Sequence, residues 1–186
     1  MTNTVTTTTL PLAAGIWTAD PSHTTVGFVV RHLGLSKVRG RFDGVNARLV
    51  VGDDLTSSSV SAEIEMGTVK TGNADRDAHL ASADFFNAEL NPTMTFVSTG
   101  ITGQGEEFTL TGDLTVNGIT KQVELDVEFF GTSVFPMDQS TRAGFSATGS
   151  ISRKAFGITF DVPLGGDKVM IADKIALELD VQLIAP

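Results

Sequence analysis

The side chains of this sequence that could do chemistry are three histidines, the arginines near them and several close-set acids. His23 and His32 flank the strand-forming run Thr24–Val30, with Arg31 beside the second, and His79 follows Arg76 and Asp77. A hydrolytic triad would need a nucleophile presented to a histidine, and no strand–GxSxG–helix elbow is present. Metal binding is not indicated either, because no two of His23, His32 and His79 stand at a metal-ligand spacing. The paired acids Glu63/Glu65, Glu124/Asp126/Glu128 and Glu178/Asp180 lie on the polar parity of alternating segments. They face solvent there, with nothing to shift their pKa values toward acid–base work. Gly103-Gln104-Gly105 and Gly165-Gly166 precede no helix, so neither reads as a phosphate loop. No catalytic set and no cofactor site emerges.

Composition excludes further classes. The 186 residues suit one well-filled domain, and 13 Lys+Arg against 22 Asp+Glu give a net charge of −9, which disfavours nucleic acid or anionic membrane surfaces. The absence of cysteine removes disulfides, thiol nucleophiles and thiolate metal sites. No window holds the roughly 18–20 continuous apolar residues of a transmembrane helix. The start, MTNTVTTTTLPLAAGIW, lacks a basic n-region and a proper apolar h-region. Residues 1–14 read as a flexible leader before a domain at 15–186, and the expected location is cytoplasmic.

The elements that must position these side chains are strands. Segments 59–66, 108–116, 123–129 and 175–183 alternate apolar and polar residues, as antiparallel strands with one dry and one wet face do. Asn117-Gly118 between two such runs predicts a type I′ hairpin, because both residues of that turn need positive φ. It sets Val116 against Ile119, Leu110 against Leu125, Phe108 against Val127, Thr115 against Thr120 and Thr111 against Glu124. Further strands are expected at 24–32, 37–51, 93–101 and 142–151; the second changes parity at Gly44, which marks a bend or bulge. About eight strands without a repeat favour closure into an antiparallel barrel over a sandwich, since closure removes exposed edges.

One helix is expected, from about Asn73 to Leu90. Asn73 caps it, Asp75 and Asp77 favour its first turn, Ala74, Ala78, Ala81 and Phe85 form its apolar face, and Asn91-Pro92 stops it. It would plug one end or side of the barrel. Arg76 and Asp77 could pair to hold it there. In the opening strand, parity puts Val26, Phe28, Val30 and His32 on one side, and His23, Gly27, Val29 and Arg31 on the other, so His32 ends an apolar stripe. Alternation alone leaves two outcomes open: the apolar faces interlock, or they enclose one long apolar guest.

Four blocks in order resemble the YceI-like family, whose members bind polyisoprenoids in an extended lipocalin-like barrel. They are Trp17-x-x-Asp20-x-x-His23 with Phe28, Arg31-His32, Gly34 and Gly40-x-Phe42; then Arg76-Asp77-x-His79-Leu80 with Phe85-Phe86, Pro92 and Phe96. Gly112-x-Leu114-Thr115-x-x-Gly118-x-Thr120-Lys121 and Arg153-x-x-Phe156-Gly157-Ile158 follow, so the likeness runs from Trp17 to about Gln182. Thr24 stands where many members have Ser, and Ala155 where many have an acid. Many members are also exported with a signal peptide.

The resemblance implies an all-β, eight-stranded antiparallel lipocalin-like barrel, with the helix packed on it, that carries or sequesters a long-chain lipid such as a polyprenyl phosphate or isoprenoid quinone. Parity then nominates Val26, Phe28, Val30, Ile64, Met66, Met94, Phe96, Leu110, Leu114, Leu125, Val127, Phe145, Leu177, Leu179 and Val181 as the tunnel wall. Arg31, His32, Arg76 and His79 are the polar candidates for a head group. A rival reading makes the protein an enzyme on a small apolar substrate, with His32 or His79 as acid–base; it requires a pocket histidine within reach of a second polar group. A third makes the barrel a scaffold for interactions on its outer surface. Oligomeric state is left open between monomer and homodimer.

Overall fold

A computed structural model describes residues 9–166 and 168–186, and in it the Asn117-Gly118 hairpin takes the register its turn dictates. Asn117 and Gly118 have φ of 51° and 74°. Val116 faces Ile119, Thr115 faces Thr120, Thr111 faces Glu124, Leu110 faces Leu125 and Phe108 faces Val127. The hydroxyls of Thr115 and Thr120 meet at 2.8 Å on the wet face.

The strands are β1 (Gly15–Ala19), β2 (Thr25–His32), β3 (Ser36–Phe42), β4 (Val45–Val51), β5 (Ser59–Glu65) and β6 (Val69–Lys70), followed by β7 (Thr93–Gln104), β8 (Glu107–Val116), β9 (Ile119–Val134), β10 (Thr141–Ser152) and β11 (Ile171–Ile184). Neighbours run β1-β4-β5-β7-β8-β9-β10-β11, and β11 returns to β1 through Thr18–Ile184 and Ala19–Leu183, so eight strands close an antiparallel barrel. Further along β11, β2 takes over from β1, and β2 pairs in turn with β3, and β3 with β6. The pieces β1/β2, β3/β4 and β5/β6 are therefore three bent staves. The break between β3 and β4 falls at Asp43-Gly44, where the sequence changes parity, and the Gly44 N–H donates to the Thr68 hydroxyl at 2.8 Å.

Two glycines explain why the wall can hold large rings. A β-carbon at Gly40 would collide with the ring of its cross-strand partner Phe28, and one at Gly112 with the ring of Phe96. Each phenylalanine thus lies flat across a residue without a side chain.

The helix is shorter than its periodicity suggests. α1 covers only Ala74–Ala81, capped by the Asn73 side chain, which accepts from the Arg76 N–H. It ends at Ser82, whose N–H and hydroxyl both donate to the His79 carbonyl. None of its residues is buried, and Ala74 and Ala78 face solvent. Residues 82–91 instead fold into turns, with Asn87 at a φ of 47°, that drive Phe85 inward. The reason is geometric: a continued helix would turn the adjacent Phe85 and Phe86 about 100° apart, whereas both rings border the barrel interior here. The expected Arg76–Asp77 pair does not form. Arg76 donates to the Thr71 hydroxyl and carbonyl, and Asp77 accepts from the Thr71 N–H and hydroxyl, so both anchor the helix to the same residue.

The far end is closed by a second apolar cluster that includes Trp17, Leu49, Phe108, Phe129, Ala143 and Leu183. Leu10 belongs to it at 7% exposure, and the Trp17 indole donates to the Ala13 carbonyl at 2.9 Å. Packing thus begins before Gly15; residues 1–8 of the expected leader lie outside the described residues. At this end Asp20 is buried and accepts from Arg142, His23 and the Ser22 N–H, while Arg142 also reaches Asp138. Burial opposes the charge on Asp20, but the bonds from His23 and Ser22 and the field of Arg142 hold its carboxyl below the usual range. His23 is therefore part of a brace.

Candidate functional site

The inward faces of the strands do not fill the barrel. Two chambers remain, of about 200 Å³ and 290 Å³, against the roughly 10–15 Å³ that one water needs. Met94, Ile151 and Leu177 border both and mark the neck, the boundary the two chambers share. The deep chamber reaches down to Leu10 and Leu183, and among the described residues Thr24 and Arg48 are its only polar borders. The outer chamber is walled by residues such as Phe28, Val38, Phe42, Phe86, Phe156 and Phe160.

The polar borders of the outer chamber are Arg31, His32, Arg76, His79 and Arg153, and among the described residues no Asp or Glu borders either chamber. β2 supplies Arg31 and His32 at its end, α1 supplies Arg76 and His79 one turn apart, and the stretch after β10 supplies Arg153. Their engagement differs. The His79 ring sits edge-on to Phe85 and Phe160, at centroid distances of 5.0 and 4.9 Å, and its Nε2 lies 2.8 Å from Asp84 Oδ2. Arg76 is held by Thr71. Among the described residues Arg31 makes a single long polar contact, 3.4 Å to the Leu35 carbonyl.

Arg153 is 3% exposed and acts as a pin. It donates to the carbonyls of Ala172, Ile158, Phe160 and Ile171 at 2.8 to 3.0 Å, and it reaches Asp161 at 3.5 Å. One guanidinium thus fixes both ends of the segment from Ile158 to Ile171 over the outer chamber. Burial works against the charge of Asp161, yet the N–H groups of Val162, Ile171 and Met170, together with Arg153, keep its carboxyl below the ordinary range.

Of the fifteen wall residues nominated by parity, Val26, Ile64, Phe96, Leu110, Leu114, Leu125, Val127, Phe145, Leu179 and Val181 border the deep chamber. Phe28 and Val30 border the outer one, and Met94 and Leu177 the neck. Met66 borders neither: it starts a 3-10 turn and packs at 1% exposure between β5 and β6. Alternation extrapolated past Glu65 placed it on the wall, and the turn removes it. Arg31, His32, Arg76 and His79, from two distant segments, come together at the outer chamber. Sequence reasoning missed Asp84 as the partner of His79, and Phe160 and Met170 on the wall. The pinning role of Arg153 was also missed, although its block in the sequence was noted.

A family model described as the YceI-like domain matches residues 17–183. The chain belongs to the YceI-like family. This YceI-like chain is 36% identical over 168 residues to a UPF0312 protein of Staphylococcus aureus (strain USA300), covering 89% of this chain and 95% of that one. Among solved structures it resembles the Campylobacter jejuni YCEI protein, at 30% identity and a TM-score of 0.69, over 84% of this chain and 90% of that one. It shares its fold with a polyisoprenoid binding domain from Saccharophagus degradans, at 12% identity and a TM-score of 0.63, over 94% of this chain and the whole of the other.

Proposed function

We propose that this YceI-like protein carries or sequesters one long-chain lipid, a polyisoprenoid with an anionic or quinone head, with its tail in the two chambers and its head at the outer mouth. The observation that carries the reading is the character of the walls: apolar from Leu10 through the neck except at Thr24 and Arg48, then ringed by Arg and His, with no bordering carboxylate among the described residues. Each buried methylene contributes about 0.8 kcal/mol, so a tail in such a tunnel needs few polar contacts. Arg31 and His32, the least engaged of the basic groups, are the head-group contacts this reading favours, with Arg76 and His79 behind them. The name of the Saccharophagus degradans domain supports the ligand class. Native mass spectrometry and solvent extraction of the purified protein test it. A co-purified long-chain lipid is expected, and a protein that stays empty when offered polyprenyl phosphates, quinones and fatty acyl chains refutes it.

A second reading has its own observation. His79 sits at the chamber with Asp84 2.8 Å from its ring nitrogen, the arrangement an acid–base histidine would need. Turnover of an apolar substrate that follows a pH profile and disappears in His79→Ala would favour catalysis over carriage.

A further inference from the structure

We infer that the rim of the outer chamber is a docking surface for a bilayer containing anionic phospholipid, from which the barrel takes up or to which it delivers its guest. The inference rests on the carrier reading for its purpose, but its evidence lies on the outer surface. Two segments adjoin residues that border the outer chamber: the turn Leu33-Gly34-Leu35, which follows His32 between β2 and β3, and the loop that leaves Asp161 and returns at Met170. They are joined by a hydrogen bond from the Leu33 N–H to the Met170 carbonyl at 2.8 Å, and the loop is closed on itself by a bridge between Pro163 and Val169. Their tips carry Leu33, Leu35, Val162, Leu164 and Val169, all exposed, Leu35 by 79%.

This is not incidental apolar surface. Leu33 sits at a φ of 55°, a conformation that Gly or Asn adopts easily and leucine only at a cost. An exposed leucine held there works against the stability of the turn, as expected where the side chain is wanted outside.

Charge then selects the partner. Arg31 and Lys37 are direct cross-strand neighbours at the base of the turn, a like-charge pair that disfavours the hairpin. Neither forms an ion pair among the described residues. Lys168 adds a third exposed cation on the loop. The carboxylate of Asp161 is already engaged by Arg153 and by backbone N–H groups. Counting Asp167 by sequence, the lip stays net positive on a chain whose total charge is −9. The whole-chain charge opposes an anionic surface; this one edge reverses it. Apolar tips that enter the acyl boundary, flanked by cations at head-group level, fit such a membrane. They also place the chamber mouth, which Arg31, His32 and Met170 border, against the layer that holds the guest.

Flotation of the full chain with vesicles tests this, using phosphatidylcholine mixed with phosphatidylglycerol against phosphatidylcholine alone. The wild type should float with the mixed vesicles, and more weakly as salt rises. Lys37→Glu should reduce that binding by at least about fivefold, the effect of one basic residue near an anionic surface. The exposed double variant Leu35→Asp/Leu164→Asp should abolish it, with circular dichroism and Tm unchanged. No flotation of the wild type, or flotation that the double variant leaves intact, overturns the inference; the latter would place any membrane contact elsewhere. Lipid extracted from the same preparations separates the two readings. A lipid-loaded protein that does not float removes the docking surface alone, and a protein that floats with an empty barrel removes the carrier alone.

Discussion

Narrowing the neck between the chambers should shorten the guest. The perturbation is Met94→Phe with Ile151→Phe, two of the three residues that border both chambers. From Leu177 at the neck to Leu183 at the far wall, β11 advances six residues. At about 3.4 Å per residue and a strand tilt of about 40°, that is a depth of roughly 15 Å. A saturated chain with bonds of about 1.5 Å at angles of about 111° advances roughly 1.25 Å per carbon, so about a dozen carbons fit beyond the neck. At about 0.8 kcal/mol each, their burial contributes roughly 10 kcal/mol before losses. Ordering the chain cancels much of this. If one fifth survives, about 2 kcal/mol separates a tail that passes the neck from one that cannot, which is about 30-fold in Kd. Overpacking should cost about 1–3 kcal/mol of fold stability, so Tm is read alongside. The assay is competition between a long and a short polyprenyl chain with the same head, with the bound species counted by native mass spectrometry. Affinity for the long chain should fall by at least about tenfold while the short chain is held as before. An unchanged length preference in a folded variant would refute the two-chamber reasoning.

Three further outcomes follow from contacts already described. Arg142→Met leaves the buried Asp20 carboxylate without its guanidinium and should cost about 3–5 kcal/mol, read as a loss of Tm. Because the folded pKa of Asp20 lies below its unfolded value of about 3.9, its contribution is present above that pH and disappears as pH falls through the folded value; the variant should unfold at higher pH than the wild type in an acid titration. Arg153→Met strips the donor from four carbonyls; it should cost at least about 3 kcal/mol and remove hydrogen-exchange protection from Ile158 to Ile171 while sparing the Asn117-Gly118 hairpin. Asn117→Ala puts at a φ of 51° a residue that tolerates the left-handed region less well than asparagine, and it deletes the side-chain bond to the Phe85 carbonyl; a loss of about 1–3 kcal/mol in denaturant melts is expected.

Local pattern made most of the barrel legible. Period-two alternation told which side of each strand is dry, and a two-residue turn fixed the Val116–Ile119 register, because neither depends on distant residues. Alternation failed where the backbone leaves the extended state, as at Met66, and periodicity overstated α1, because Phe85 and Phe86 had to face the same interior. The interior itself was not legible: the same row of Val, Leu and Phe would suit a filled core.

The sequence by itself determined most of the strands, though not the short β1 and β6, together with their wet and dry faces, the bend at Gly44 and which basic side chains were available. Tertiary structure alone decided that the dry faces stand apart around two joined chambers. It also decided that Arg76 and His79 meet Arg31 and His32 there, and that His79 faces Asp84 whereas Arg76 does not pair with Asp77. Strand face follows from the short-range geometry of the chain. Free space in a barrel and the company of a side chain follow from closure, which brings together residues more than a hundred positions apart, as in the pairing of β1 with β11.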